Sequence, residues 1–173
     1  YENDCAALAR CCFITPPLYQ QKCYAILADI ESAVIKNLVP GAQLGTVYDM
    51  AVALGNEKDP ELAQYFMKEC GTGIGIEFRE STLRIKSGNT EEVKCALFSG
   101  LRNRAGMCFD VRIGFENVPN RVRETETNVN SLKSFSLLLC DTIIVAEAEA
   151  DGAFKPTTNQ VLTNFSSEWS NVS

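Results

Sequence analysis

Gly71–Glu80 reads GTGIGIEFRE. Here the hydrophobic period changes. Ile74, Ile76 and Phe78 alternate with Gly75, Glu77 and Arg79, which is a strand pattern. A turn at Glu80–Thr82 leads to Leu83-Arg84-Ile85-Lys86, so the two runs form a hairpin. The glycines do not make a nucleotide loop. A dinucleotide loop needs a glycine where Ile76 stands and a helix afterwards, and a P-loop needs a Lys-Ser/Thr pair. Gly71, Gly73 and Gly75 instead fit a strand whose backbone passes close to another element.

Upstream the period is helical. Tyr19, Cys23, Ile26, Leu27, Ile30, Val34 and Leu38 recur in steps of three and four, predicting one long helix between Pro16-Pro17 and Pro40-Gly41. Leu44, Val47, Met50, Ala51 and Leu54 predict a second helix over Leu44–Leu54. Asp59-Pro60 reads as an N-cap with proline in the first turn, opening a third helix to about Cys70. Residues 5–14 are expected to be a strand. Downstream, Met107–Ile113, Ser134–Leu139 and Thr142–Ala146 read as further strands. Residues 95–98 are a weaker apolar stretch, 116–134 a polar loop, and 148–173 a polar tail with Val161-Leu162 its one apolar spot. No repeat of fixed period is present. Three helices followed by mostly antiparallel strands predict an α+β fold, the helices covering one face of a sheet.

The 173 residues are 46% hydrophobic and 22% charged, the balance of a globular domain. A chain of this length buries roughly 70% of its unfolded surface, enough for one domain over residues 1–173. Sixteen Lys+Arg against twenty-two Asp+Glu leave a net charge of −6, which disfavours nucleic acid as the main partner. No apolar run reaches the roughly 18–20 residues a membrane span needs. The opening YENDCAALAR is acidic and polar before it is apolar, unlike a signal peptide, and reads as an internal piece of a chain. The sequence has no histidine. Ser-His-Asp triads, Cys-His dyads and His-ligated zinc are therefore excluded within it.

Eight cysteines (Cys5, Cys11, Cys12, Cys23, Cys70, Cys95, Cys108 and Cys140) contain no C-x-x-C pair, and most sit among apolar residues. Reduced, buried thiols are the preferred reading over four disulfides. Without histidine, Cys140 lacks an obvious base to make it a nucleophile. Asp4, Glu77, Glu80, Asp110, Asp141 and Glu147 are read as solvent-facing charges rather than an oxygen-only Mg²⁺ or Mn²⁺ site. Glu77 and Arg79 share a strand face and are expected to form an exposed pair. Arg121-Val122-Arg123 with Glu124 and Glu126 reads as a solvated loop of mixed charge, and the N-x-Ser sequons at Asn164 and Asn171 are short enough to arise by chance.

With GTGIGIEFRE, the segments GMCFDVRIG (Gly106–Gly114) and CDTIIVAE (Cys140–Glu147) carry a resemblance. Together they resemble the pita-bread fold of the metal-dependent aminopeptidases. Within it the chain is similar to the N-terminal, peptidase-like domain of the large subunit of the FACT histone chaperone. The triplet Phe78-Arg79-Glu80 is the most specific part, and YENDCAALAR, the long helix and VYDMAVAL fit the same order of elements. The resemblance covers most of residues 1–147. It implies a pita-bread lobe, incomplete at its N-terminal side, in which residues 1–14 form an exposed sheet edge.

Working peptidases of this fold bind two metal ions through two Asp, one His and two Glu. The resemblance aligns the ligand His with Thr72, a second active-site His with Arg79, the two Glu with Arg112 and Cys140, and one Asp with Ala7. A methyl group, a hydroxyl, two guanidinium groups and a thiol then replace the ligand and active-site groups. A guanidinium 4 Å from a divalent ion is repelled by about 8 kcal/mol at an effective dielectric of 20. The resemblance thus implies a pseudo-peptidase with no cofactor and no metal, a protein-binding module acting in nucleosome reorganisation. Its implied partners are core histones, as dimer or tetramer, and, through other domains, the small HMG-box subunit of the FACT complex. Its implied location is nuclear chromatin. Two rival readings are a residual metallo-aminopeptidase-type hydrolase and a non-enzymatic pita-bread protein that binds RNA or ribosomes.

Overall fold

Tyr24, Leu27, Ile30 and Val34 line one side of a helix, and that side is buried. In the computed structural model this helix, α1, spans Leu18–Asn37 and begins directly after Pro17. The structure describes residues 5–12, 16–75, 82–93, 107–120, 133–145 and 159–163. The last carbonyls of α1 are met from afar, since Asn159 Nδ2 donates to Leu38 O at 2.9 Å. α2 spans Leu44–Lys58, one turn longer than its apolar stripe predicts, and packs on α1 through Leu44, Val47, Ala51 and Gly55.

α3 is only Pro60–Ala63, capped as expected by Asp59, whose carboxylate accepts the Leu62 N–H at 3.2 Å. The third helix does not reach Cys70. Tyr65–Met67 turn to the sheet instead: Glu116 N–H donates to Tyr65 O at 2.8 Å, and Met67 N–H to Gly114 O at 3.1 Å. Phe66 stacks edge-on against Phe115, 5.8 Å between centroids. This tertiary pairing outweighs the local helical pattern.

The strands are β1 (Glu69–Ile74), β2 (Arg84–Lys86), β3 (Cys108–Pro119), β4 (Ser134–Ile144) and β5 (Gln160–Val161). They form one antiparallel sheet in the order β2-β1-β3-β4-β5. β1 and β2 pair antiparallel, Glu69 with Lys86 and Thr72 with Arg84; of the strand expected over Ile74–Arg79 only Ile74 falls in β1, and residues 76–81, with most of the expected turn, lie outside the described part, as does 95–98. β3 continues past Ile113 into the stretch expected to be loop. A bulge between Phe115 and Val118 keeps it paired there, with Asn117 at φ 57° donating its N–H to Ser136 Oγ. The two strands expected at 134–139 and 142–146 are a single strand, because Cys140 and Asp141 continue the ladder.

Alternation divides β3 cleanly. Phe109, Val111, Ile113 and Phe115 are 0–1% exposed and belong to the helix-side core with Leu27, Ile30, Leu137, Leu139 and Ile143. The helices therefore cover one face of the sheet, as expected. Residues 5–12 are not a strand but lie along the outer edge of β4 through one reciprocal backbone pair, Ala9 with Cys140, at 3.0 and 3.1 Å. Cys11, Cys12, Cys70 and Cys140 are thiols rather than disulfides. Among the described residues no helix is long and apolar enough to cross a membrane.

Candidate functional site

Residues that oppose one another across antiparallel strands share a face. Thr72 of β1 faces Asp110 of β3, Asp110 faces Thr142 of β4, and Arg112 faces Cys140. These five side chains lie on the sheet face opposite the helix-side core. Ala7 joins them: its N–H donates to Thr142 Oγ1 at 2.8 Å, and the Thr142 hydroxyl donates back to Ala7 O at 3.0 Å. The structure thus brings together Ala7, Thr72, Arg112 and Cys140. Arg79, with Glu77 and Glu80, lies outside the described residues.

Close approach of β1 to β3 depends on Gly71. Its φ is +134°, and a Cβ there would sit 2.0 Å from Asp110 O. Only glycine brings Thr72 alongside Asp110 without displacing β3.

Asp110 is the centre of the site. It is 1% exposed, against the expectation that it faces solvent. Arg112 Nη2 donates to its Oδ2 at 2.8 Å, and the Cys140 thiol donates to its Oδ1 at 2.6 Å. Both carboxylate oxygens are therefore engaged. Burial, then the Asp110 carboxylate, pushes the Cys140 thiol up to about 12, against the pull of Arg112. The sulfur is a neutral S–H donor at physiological pH, neither a thiolate ligand nor a nucleophile. The Arg112 guanidinium keeps 26% of its side chain exposed, so it presents a partly open, already neutralised cation on this face.

Asp141 is also buried, at 4% exposure, on the helix side of β4. Arg10 binds it through Nη2 at 2.7 and 2.9 Å. The solvent-facing expectation fails for both aspartates because each has a guanidinium that offsets its desolvation. Sequence reasoning named Asp110 but set it toward solvent, and it missed Thr142 and Arg10. Alternation in GMCFDVRIG already sets Asp110 and Arg112 on one face, a signal for the first. Arg10 reaches a residue 131 positions away, and no local pattern announces that. Among the described residues no cluster of three or more His, Cys, Asp or Glu side chains is placed to hold a metal ion.

The sequence profile of metallopeptidase family M24 matches residues 1–147. The chain belongs to that family. This M24 chain is 37% identical over 147 residues to FACT complex subunit SPT16 of Zea mays, covering 85% of this chain and 12% of that protein. With SPT16 of Dictyostelium discoideum it shares 34% over 146 residues, 84% of this chain and 12% of that protein. It thus spans about an eighth of the length of these relatives. Among solved structures, the N-terminal domain of FACT complex subunit SPT16 from Cicer arietinum superposes with a TM-score of 0.71 at 37% identity, covering 85% of this chain and 31% of that one. The corresponding domain from Eremothecium gossypii gives 0.73 at 28% identity, covering 97% and 32%. An X-Pro aminopeptidase from Thermotoga maritima, 18% identical, gives 0.69 over 97% of this chain and 38% of its own, a likeness of fold alone. The pita-bread fold and the resemblance to the SPT16 N-terminal domain therefore hold.

Proposed function

We propose that this M24 chain is a non-catalytic, peptidase-like binding module of a histone chaperone, a FACT large subunit. One observation carries the reading. The face on which the ligand positions align is filled by an internal ion pair, Arg112 with Asp110, and by a thiol that donates to the same carboxylate. A divalent ion there would have to displace the guanidinium and ionise a thiol held near 12. These residues do not fit a metal centre, and no hydrolytic step is derived through one. Ala7, Thr72, Arg79, Arg112 and Cys140 are accordingly degenerate positions. The reading takes residues 1–173 as most of one pita-bread lobe.

The partner follows from the relatives, which are named FACT complex subunit SPT16. Core histones are the proposed ligands, the location is nuclear chromatin, and the role is nucleosome reorganisation during transcription and replication. The net charge of −6 suits a basic partner. The HMG-box subunit is proposed to be met by other domains.

Binding the chain to the core-histone dimer, the core-histone tetramer and a structured RNA, each at two salt concentrations, tests the reading. Saturable histone binding with weak, salt-sensitive RNA binding is expected. Tight RNA binding without histone binding would favour the RNA-binding pita-bread alternative. Elemental analysis with a tripeptide cleavage assay is expected to find neither bound metal nor turnover, and stoichiometric metal with turnover would restore the hydrolase.

A further inference from the structure

The outer edge of β4 is closed by two short segments. Residues 5–12 meet it through the Ala9–Cys140 pair and through Cys11, whose sulfur accepts from Leu138 N–H and donates to Leu138 O, both at 3.3 Å. At residues 162–163, Leu162 N–H donates to Thr142 O at 2.9 Å. Asp141 fastens both segments. It takes the Arg10 guanidinium, and it accepts the Thr163 hydroxyl at 2.6 Å. Arg10 further donates to Ala9 O and Cys140 O, each at 2.9 Å.

Glu31, on α1, lies within electrostatic reach of Arg10 and Asp141. It is 3% exposed, and among the described residues its Oε1 has no hydrogen-bond partner. A buried carboxylate oxygen without a donor is rare, because its desolvation goes uncompensated.

We propose that Glu31 is a proton-controlled latch on the β4 edge: as the neutral acid it lets Arg10, Asp141 and Thr163 hold residues 5–12 and 159–163 in place, and as the carboxylate it drives them off. When ionised, two buried carboxylates share one guanidinium. Relief requires hydration of Glu31. α1 cannot supply it by moving, since Cys23, Leu27, Ile30 and Val34 are 0% exposed in the core. The edge segments contribute no residue to the fully buried core and can move without opening it. Among the described residues, the charged and titratable groups facing Glu31 are Arg10 from the edge segment, Asp141 from β4 and Tyr24 from α1 itself. Burial, then Asp141, lifts the Glu31 carboxyl to about 7, with Arg10 opposing, so the switch works around neutrality. Release uncovers the backbone groups of Leu138 and Cys140, an edge competent to take a strand from a partner.

Amide hydrogen exchange of the whole chain at pH 6 and pH 8, corrected for intrinsic rates, tests this. For a carboxyl moving from about 7 when latched to 4.5 when released, opening rises about tenfold across that range. Ala9 and Cys140 amides should lose about tenfold in protection while exchanging well ahead of the Leu27 and Ile30 amides, which open only with global unfolding, and Glu31→Gln should keep full protection at both pH values. Equal protection of wild-type Ala9 and Cys140 at both pH values, or the same loss in Glu31→Gln, would overturn the latch. Carboxyl ¹³C titration of wild-type Glu31 decides independently of the variant. A midpoint near 7, followed by the Ala9 and Cys140 amide shifts, supports it, and a midpoint near 4.5 refutes it.

Discussion

Arg112 and Asp110 stand two residues apart on one face of β3, and each explains the presence of the other. Asp110 is 1% exposed and needs a cation. Replacing Arg112 by methionine keeps the stem and removes the charge, leaving a buried carboxylate unpaired. The expected loss is about 3 kcal/mol, read from urea unfolding. The double variant Arg112→Met with Asp110→Asn should recover most of that loss. The thiols give a second outcome. Burial raises Cys70 and Cys140 alike to about 12, whereas Cys12 is exposed. Iodoacetamide at pH 8 should modify Cys12 in the folded chain and reach Cys70 and Cys140 only after denaturant is added. Prompt alkylation of Cys140 would mean an accessible, reactive thiolate and would undo the site as described.

Elements here are placed by what their backbones must approach. Gly71 and Gly41 both have positive φ, +134° and +84°, but a side chain at Gly41 meets nothing within 4 Å while one at Gly71 strikes the Asp110 carbonyl. Gly41→Ala should therefore cost about 1 kcal/mol from backbone strain alone. Gly71→Ala should cost well over twice that, since β1 must leave β3; comparable losses in thermal unfolding would deny the close approach. Much at this scale was legible beforehand. The α1 stripe, its proline boundaries and the Asp59 cap all follow from local pattern. The third helix failed because Tyr65–Met67 find partners on β3. The apparent break at Cys140-Asp141 failed because Arg10 lets Asp141 stay inside a continuous strand.

At the scale of the whole molecule, Glu31 adds a destabilising contribution as pH rises through neutrality. Its folded value, about 7, lies above the ordinary 4.5, so the folded chain binds the extra proton. The associated stability is fully present below about pH 4.5, declines as pH rises, and is gone above about pH 7. The loss over that window is at most about 3 kcal/mol. Glu31→Gln should flatten this part of the profile and leave the chain more stable than wild type at pH 8. A wild-type profile rising steadily from pH 4.5 to 8 would contradict the burial of an unpartnered carboxylate.

Sequence alone determined the class of fold and the chemical types at the aligned positions, because hydrophobic period and residue identity are local properties. It also showed that these 173 residues supply no histidine to any site they form. Only the tertiary structure decided which charges meet. Asp110 with Cys140, Asp141 with Arg10, and Glu31 beside both partners of that last pair are contacts between distant segments. A carboxylate's charge state depends on the dielectric and the partners that folding brings to it, and neither is written in its neighbours along the chain.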